Sequence, residues 1–154
     1  MGYLRCHTVG AAVCAGMALL AAAASGGGVD IELPGKFGEF RVVNRGAAIR
    51  LSAAVKVQQK TGGEWRDTPV TNLHLRDSCA KPAPECVSLG AEGRLQPVPW
   101  SGNYCSAQCP ANCNLDGPAP PGIYRYVVSS CDHKRRFVSA AFEKRLEEPK
   151  GAVR

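Results

Sequence analysis

The clearest regularity in the chain runs from Ile49 to Gln58. Ile49, Leu51, Ala53, Val55 and Val57 alternate with Arg50, Ser52, Ala54, Lys56 and Gln58. Period two sends successive side chains to opposite faces, so the stretch predicts a strand with one face in a core and Arg50, Lys56 and Gln58 in solvent. Lys60-Thr61-Gly62-Gly63 follows as a hairpin turn, and Trp65 is expected to open the return strand. Phe37 to Asn44 reads as an earlier strand with Phe40 and Val42 on one face. Val70 to Arg76 alternates again, Leu73 and Leu75 inward, His74 and Arg76 outward.

Short strands are expected at Val87–Leu89 and Leu95–Trp100. Pro97 and Pro99 cannot donate ladder hydrogen bonds and confine the second to a sheet edge or bulge. Ile123 to Ser130 predicts a longer strand carrying Tyr124, Tyr126 and Val128 on one face, and a turn at Asp132–Arg136 leads to a last strand, Phe137–Phe142. The strands recur about every ten residues and no helical period appears after the amino-terminal segment, which points to an antiparallel sandwich.

The run Pro121-Gly122-Ile123-Tyr124-Arg125-Tyr126, continuing into Val127-Val128, resembles the penultimate strand of immunoglobulin-like modules in bacterial exported proteins. At the level of architecture the resemblance spans residues 38–142. It implies an all-β, antiparallel immunoglobulin-like β-sandwich of about seven or eight strands. The Cys…Trp…Cys spacing of antibody domains is absent.

The amino-terminal segment changes the picture of location. Arg5 and His7 begin it, Val9 to Ala24 is almost wholly small and apolar, and Ala22-Ala23-Ala24 ends it with the pattern a signal peptidase reads. Residues 1–24 are therefore expected to be a signal peptide, leaving no stable membrane span after cleavage and an exported protein, periplasmic or secreted. A lipid anchor at Cys14 is the alternative, but Val13 is bulky where a lipoprotein signal carries a small residue. Residues 25–36 are expected to form a flexible lead-in, 37–142 the domain, and 143–154 a charged tail that frays.

Export in turn decides how the cysteines are read. Six remain after the leader: Cys79, Cys86, Cys105, Cys109, Cys113 and Cys131. An even number in an exported chain implies disulfides, which six cysteines can connect in 15 ways. Cys79 and Cys86 flank a proline-stiffened loop and are the easiest pair to close. Cys131, at a strand end, is then expected to tie one of Cys105, Cys109 or Cys113 to the sheet, with the other two paired together. Residues 101–121 carry Gly, Pro, Asn and Ser at a density expected to sustain neither ladder nor helix.

The alternative chemistry is metal handling by the Cys105/Cys109/Cys113 cluster, with His74 or His133 as fourth ligand. Asn112-x-Asn114-x-Asp116-Gly117 imitates the start of a calcium loop, but Ile123 stands where a bidentate Glu belongs. No nucleophile elbow or carboxylate pair is present, so neither an enzyme nor a cofactor is expected. The 154 residues carry a net charge of +6, which could serve nucleic acid, anionic lipid or acidic glycans, yet Lys and Arg are dispersed. The densest run, Lys134-Arg135-Arg136, reads as a solvated hairpin tip rather than an anion-binding patch, and no nucleic-acid partner is expected. The expected function is a non-enzymatic binding or structural module of the cell envelope, its partner an unknown protein or envelope component. Its contact surface is expected on the loop 100–121, with the Trp100 and Tyr104 rings as anchors.

Overall fold

The structure, a computed structural model, describes residues 28–76, 79, 84–107 and 115–146. The expected signal peptide, Cys109 and Cys113 lie outside these residues. Among the described residues there is no helix. The elements are β1 (Val29–Glu32), β2 (Arg41–Asn44), β3 (Ile49–Thr61), β4 (Glu64–Asp67), β5 (Cys86–Leu89), β6 (Arg94–Leu95), β7 (Asn103–Cys105), β8 (Leu115–Pro118), β9 (Gly122–Ser130), β10 (Arg136–Val138) and β11 (Phe142–Lys144).

The spine is the antiparallel pair β3 and β9. Both are long because both carry the alternation that a half-buried strand requires. β9 pairs on its other edge with β10 and β11, while the free edge of β3 takes β5 at one end and β4 at the other. A bridge between Ala54 and His74 fills the space between them. A separate sheet has the order β1-β2-β6, and β7 and β8 form a two-stranded ribbon. All pairings are antiparallel. Inward side chains of the two larger sheets meet in one core, where Val29, Ile31, Phe40 and Val42 join Leu51, Val55, Val57, Tyr124, Tyr126 and Val128.

The phase of β3 is as the pattern requires for Leu51, Ala53, Val55 and Val57, all at most 2% exposed. Its register against β9 shifts between Leu51 and Val55. There the backbone turns to other partners: Ala53 N–H donates to Glu85 O, and Val55 N–H to Leu73 O. The β3–β4 hairpin closes on Gly62 and Gly63, both at positive φ, which suits a two-residue turn whose twist matches the strands.

Several expectations are corrected. The flexible lead-in contains β1, because Val29 and Ile31 alternate with Asp30 and Glu32 and bury against β2 and the core. The strand expected over 95–100 shrinks to β6, and Phe137–Phe142 divides into β10 and β11 around Ser139–Ala141. Glu143 and Lys144, assigned to the tail, belong to β11 and pair with Ile123 and Gly122. Gln58, expected in solvent, is 5% exposed: its Nε2 donates to Asp67 Oδ1 at 2.7 Å and its Oε1 accepts from Arg125 Nε at 2.9 Å. The stretch 101–121 does sustain a ladder, with Asn103 opposite Pro118 and Cys105 opposite Leu115.

The connectivity of the cysteines is corrected as well. Cys86 is bonded to Cys131, Cα to Cα 5.7 Å, so Cys79 does not pair with Cys86 and Cys131 does not tie down the 105–113 group. β5 and β9 both pair with β3, and the bridge joins the first residue of β5 to the residue after β9. Sheet order brings together cysteines 45 residues apart, where loop length alone favoured the pair seven apart. Cys79 and Cys105 are each in a disulfide as well.

Candidate functional site

An aromatic column runs through one end of the core and sets up the site. Phe40 stacks on Tyr126 at 4.4 Å between ring centroids, Tyr126 on Phe142 at 4.8 Å, and Trp100 packs against Tyr124 at 5.1 Å and Phe37 at 5.6 Å. Phe37 is the open end of the column, 45% exposed.

Backbone fixes the column at the bend 35–38. The Tyr126 hydroxyl and the Trp100 N–H both donate to the carbonyl oxygen of Gly38, each at 3.0 Å. Gly38 is at φ +80°, and a Cβ there would collide with the carbonyl of Trp100. Burial raises the pKa of the Tyr126 hydroxyl above the ordinary phenol value. Burial, then the neighbouring Tyr104, pushes Tyr124 up to about 12. Both phenols are therefore neutral donors, and the Tyr124 hydroxyl donates a hydrogen bond to Pro120 O at 2.6 Å.

A groove of about 640 Å³ opens beside Phe37. One wall is Ser101–Asn103, another is Pro118–Pro121, and the third is Glu143–Leu146, with Leu146 76% exposed. Gly102, at φ +82°, brings the walls together, since a Cβ there would meet Phe37 Cε1 at 2.9 Å and Lys144 Cε at 3.0 Å. Ala119 N–H donates to Gly102 O at 2.9 Å and ties the first wall to the second. A smaller cavity of about 180 Å³ lies against Phe37, Gly38 and Phe142. The rim is charged: Arg145 bonds Glu143 at 3.1 Å, and Lys144 is half-buried in the lining.

The groove thus uses both ends of the loop that the sequence singled out, but not its rings. Trp100 is 2% exposed and its Nε1 donates to Asn103 O at 2.8 Å, so it is a core residue that shapes the wall from behind. Tyr104 is half-buried, packed on the core beside Tyr124. The exposed ring is Phe37, which the sequence reading placed in a strand; it precedes Gly38, whose positive φ ends any ladder there.

Cys105, the first member of the proposed thiolate cluster, is in a disulfide, and a disulfide sulfur does not act as a thiolate ligand. Cys109, Cys113, Asn112 and Asn114 lie outside the described residues. His74 sits on the bridge to β3 and His133 in the turn after β9 at φ +58°. Among the described residues no group of three or more His, Cys, Asp and Glu side chains is placed to hold a metal ion. No helix of these residues is long and apolar enough to cross a membrane.

Comparison with protein-family models, with curated proteins and with solved structures finds no match to the chain.

Proposed function

We propose that the chain is an exported, non-enzymatic binding module of the cell envelope, and that the groove beside Phe37 receives a protein or envelope component. The observation that carries this is the exposure of Phe37 and Leu146 across one depression of about 640 Å³. A volume of that order lies within the range of about 300–1,000 Å³ typical of ligand sites. Its lining combines apolar surface with a few convergent polar groups, Ser101, Asn103 and Lys144. The walls rest on β7, β8 and β11, so the surface is held before a partner arrives and less ordering entropy opposes binding. Residues 1–24 support export, and the disulfide-bonded Cys79, Cys86, Cys105 and Cys131 suit an oxidising compartment.

The scaffold of this proposal is an elaborated immunoglobulin-like sandwich. The orders β10-β9-β3-β4 and β1-β2-β6 support it, since they correspond to the G-F-C-C′ and A-B-E sheets of that architecture. The bond from Tyr124 to a carbonyl four residues upstream is that of a tyrosine corner. The pairing of β5 with β3 departs from the usual division.

The test is a Leu146→Glu variant. It should melt with the wild-type chain, because Leu146 is largely in solvent, yet lose co-sedimentation with the envelope fraction. Unchanged co-sedimentation places the contact elsewhere.

A further inference from the structure

The outer face of the large sheet is chemically unlike the groove. Directly paired residues share a face, so Lys56, Gln58 and Lys60 of β3, Trp65 and Asp67 of β4, Ile123, Arg125 and Val127 of β9, and Arg136 and Val138 of β10 all stand on it. Four cations, Lys56, Lys60, Arg125 and Arg136, are gathered here on three strands, and the pairing of β3 with β9 brings together parts of the chain far apart in sequence. Two carboxylates share the face. Asp67 is bound to Lys56 and Gln58, and Glu143, opposite Ile123 at the far end, is bound to Arg145.

Two of the cations are fixed, Lys56 by Asp67 and Arg125 by its neighbours. The Arg125 guanidinium lies 4.2 Å from the centre of the Trp65 ring and donates to Gln58. Together these side chains cover Gln58, 5% exposed, and Val127, 1% exposed. Arg136 stands near enough to Arg125 for its charge, after desolvation, to lower the Arg125 pKa. Of the run Lys134-Arg135-Arg136, only Arg136 turns onto this face; Arg135 lies over Phe137, on the core side of β10.

We propose that this face binds an acidic polysaccharide, a polymer of uronate or sulfated sugars. A guanidinium held in place by stacking and hydrogen bonding, as Arg125 is, binds carboxylate and sulfate oxygens in pairs, and a polyanion laid across β3, β9 and β10 relieves the repulsion between Arg125 and Arg136. The footprint suits a chain molecule, since Lys56 to Lys60 alone spans about 13 Å of strand. A lipid surface fits less well. The exposed apolar residues here are the short, β-branched Ile123 and Val138, and Trp65 is held under Arg125, so little can enter a hydrocarbon layer.

Titration of the full chain with polygalacturonate, dextran sulfate and neutral dextran tests this. Binding to the two acidic polymers, absent with dextran and weakened by salt, is expected. Lys60→Gln/Arg136→Gln should weaken it roughly tenfold with an unchanged melting temperature. Lys134→Gln/Arg135→Gln removes the same charge from the hairpin tip and should change it less than about twofold, and Lys60→Arg, which keeps the charge and the donors, should not weaken it. No binding, equal losses in the two Gln variants, or retention on phosphatidylglycerol vesicles in place of the polysaccharides overturns the proposal.

Discussion

The backbone of Gly38 lies directly beneath that of Trp100: the Trp100 N–H donates to the Gly38 carbonyl at 3.0 Å, and no Cβ fits between them. The contact sets where Phe37 emerges and therefore where the groove begins. Gly38→Ala is expected to destabilise the chain by at least about 2 kcal/mol, since it combines a collision with a positive φ. Urea unfolding measures it; a loss below about 0.5 kcal/mol means that the bend is loose.

Gln58 gives the second prediction. Truncating it leaves Asp67 and Arg125 each short of a partner beside a buried site, whereas truncating Leu51 leaves a cavity at a wholly buried position. Gln58→Ala should cost about 1–3 kcal/mol and Leu51→Ala about 2–5 kcal/mol. An effect at Gln58 within about 0.5 kcal/mol of zero makes it an ordinary surface residue.

How far the fold was legible follows from the same two residues. Period two placed Leu51 in the core because that signal is local and repeats over ten residues. It placed Gln58 outside by the same logic and was right about the face. Burial there comes from Asp67 and Arg125, brought in by β4 and β9, and no window of sequence contains them. The cysteine pairing failed for a related reason: the β5-β3-β9 order, not loop closure, decides that Cys86 meets Cys131. The site was legible only as a place. Ser101–Asn103 and Pro118–Pro121 fall within the loop the sequence singled out, but Phe37 and Leu146 come from outside it.

Titration of Asp67 gives a pH prediction. Hydrogen bonds from Lys56, then from Gln58, lower its pKa in the folded state. A carboxylate with a depressed folded pKa stabilises the fold above its unfolded value and ceases to do so as pH falls through the folded one. Stability should therefore decline below about pH 4, and Asp67→Asn should make that decline shallower. Melting temperatures between about pH 5 and pH 2 test it; parallel curves for the two proteins count against the assignment.

The Cys86–Cys131 bridge closes a loop of 45 residues. By chain entropy, Cys86→Ser/Cys131→Ser should lose about 4 kcal/mol. Peptide mapping without reduction should recover the two cysteines in one linked fragment. A fragment joining Cys79 to Cys86 instead refutes the connectivity.

The central claim is that the groove beside Phe37 is where a partner sits, and photo-crosslinking in the native cells addresses it most directly. Benzoylphenylalanine is placed in turn at Phe37, at Leu146 and at Thr61, an exposed residue at the end of β3. The account predicts one discrete adduct shared by positions 37 and 146 and missing at 61. No adduct at either groove position, or the same adduct from all three, contradicts it.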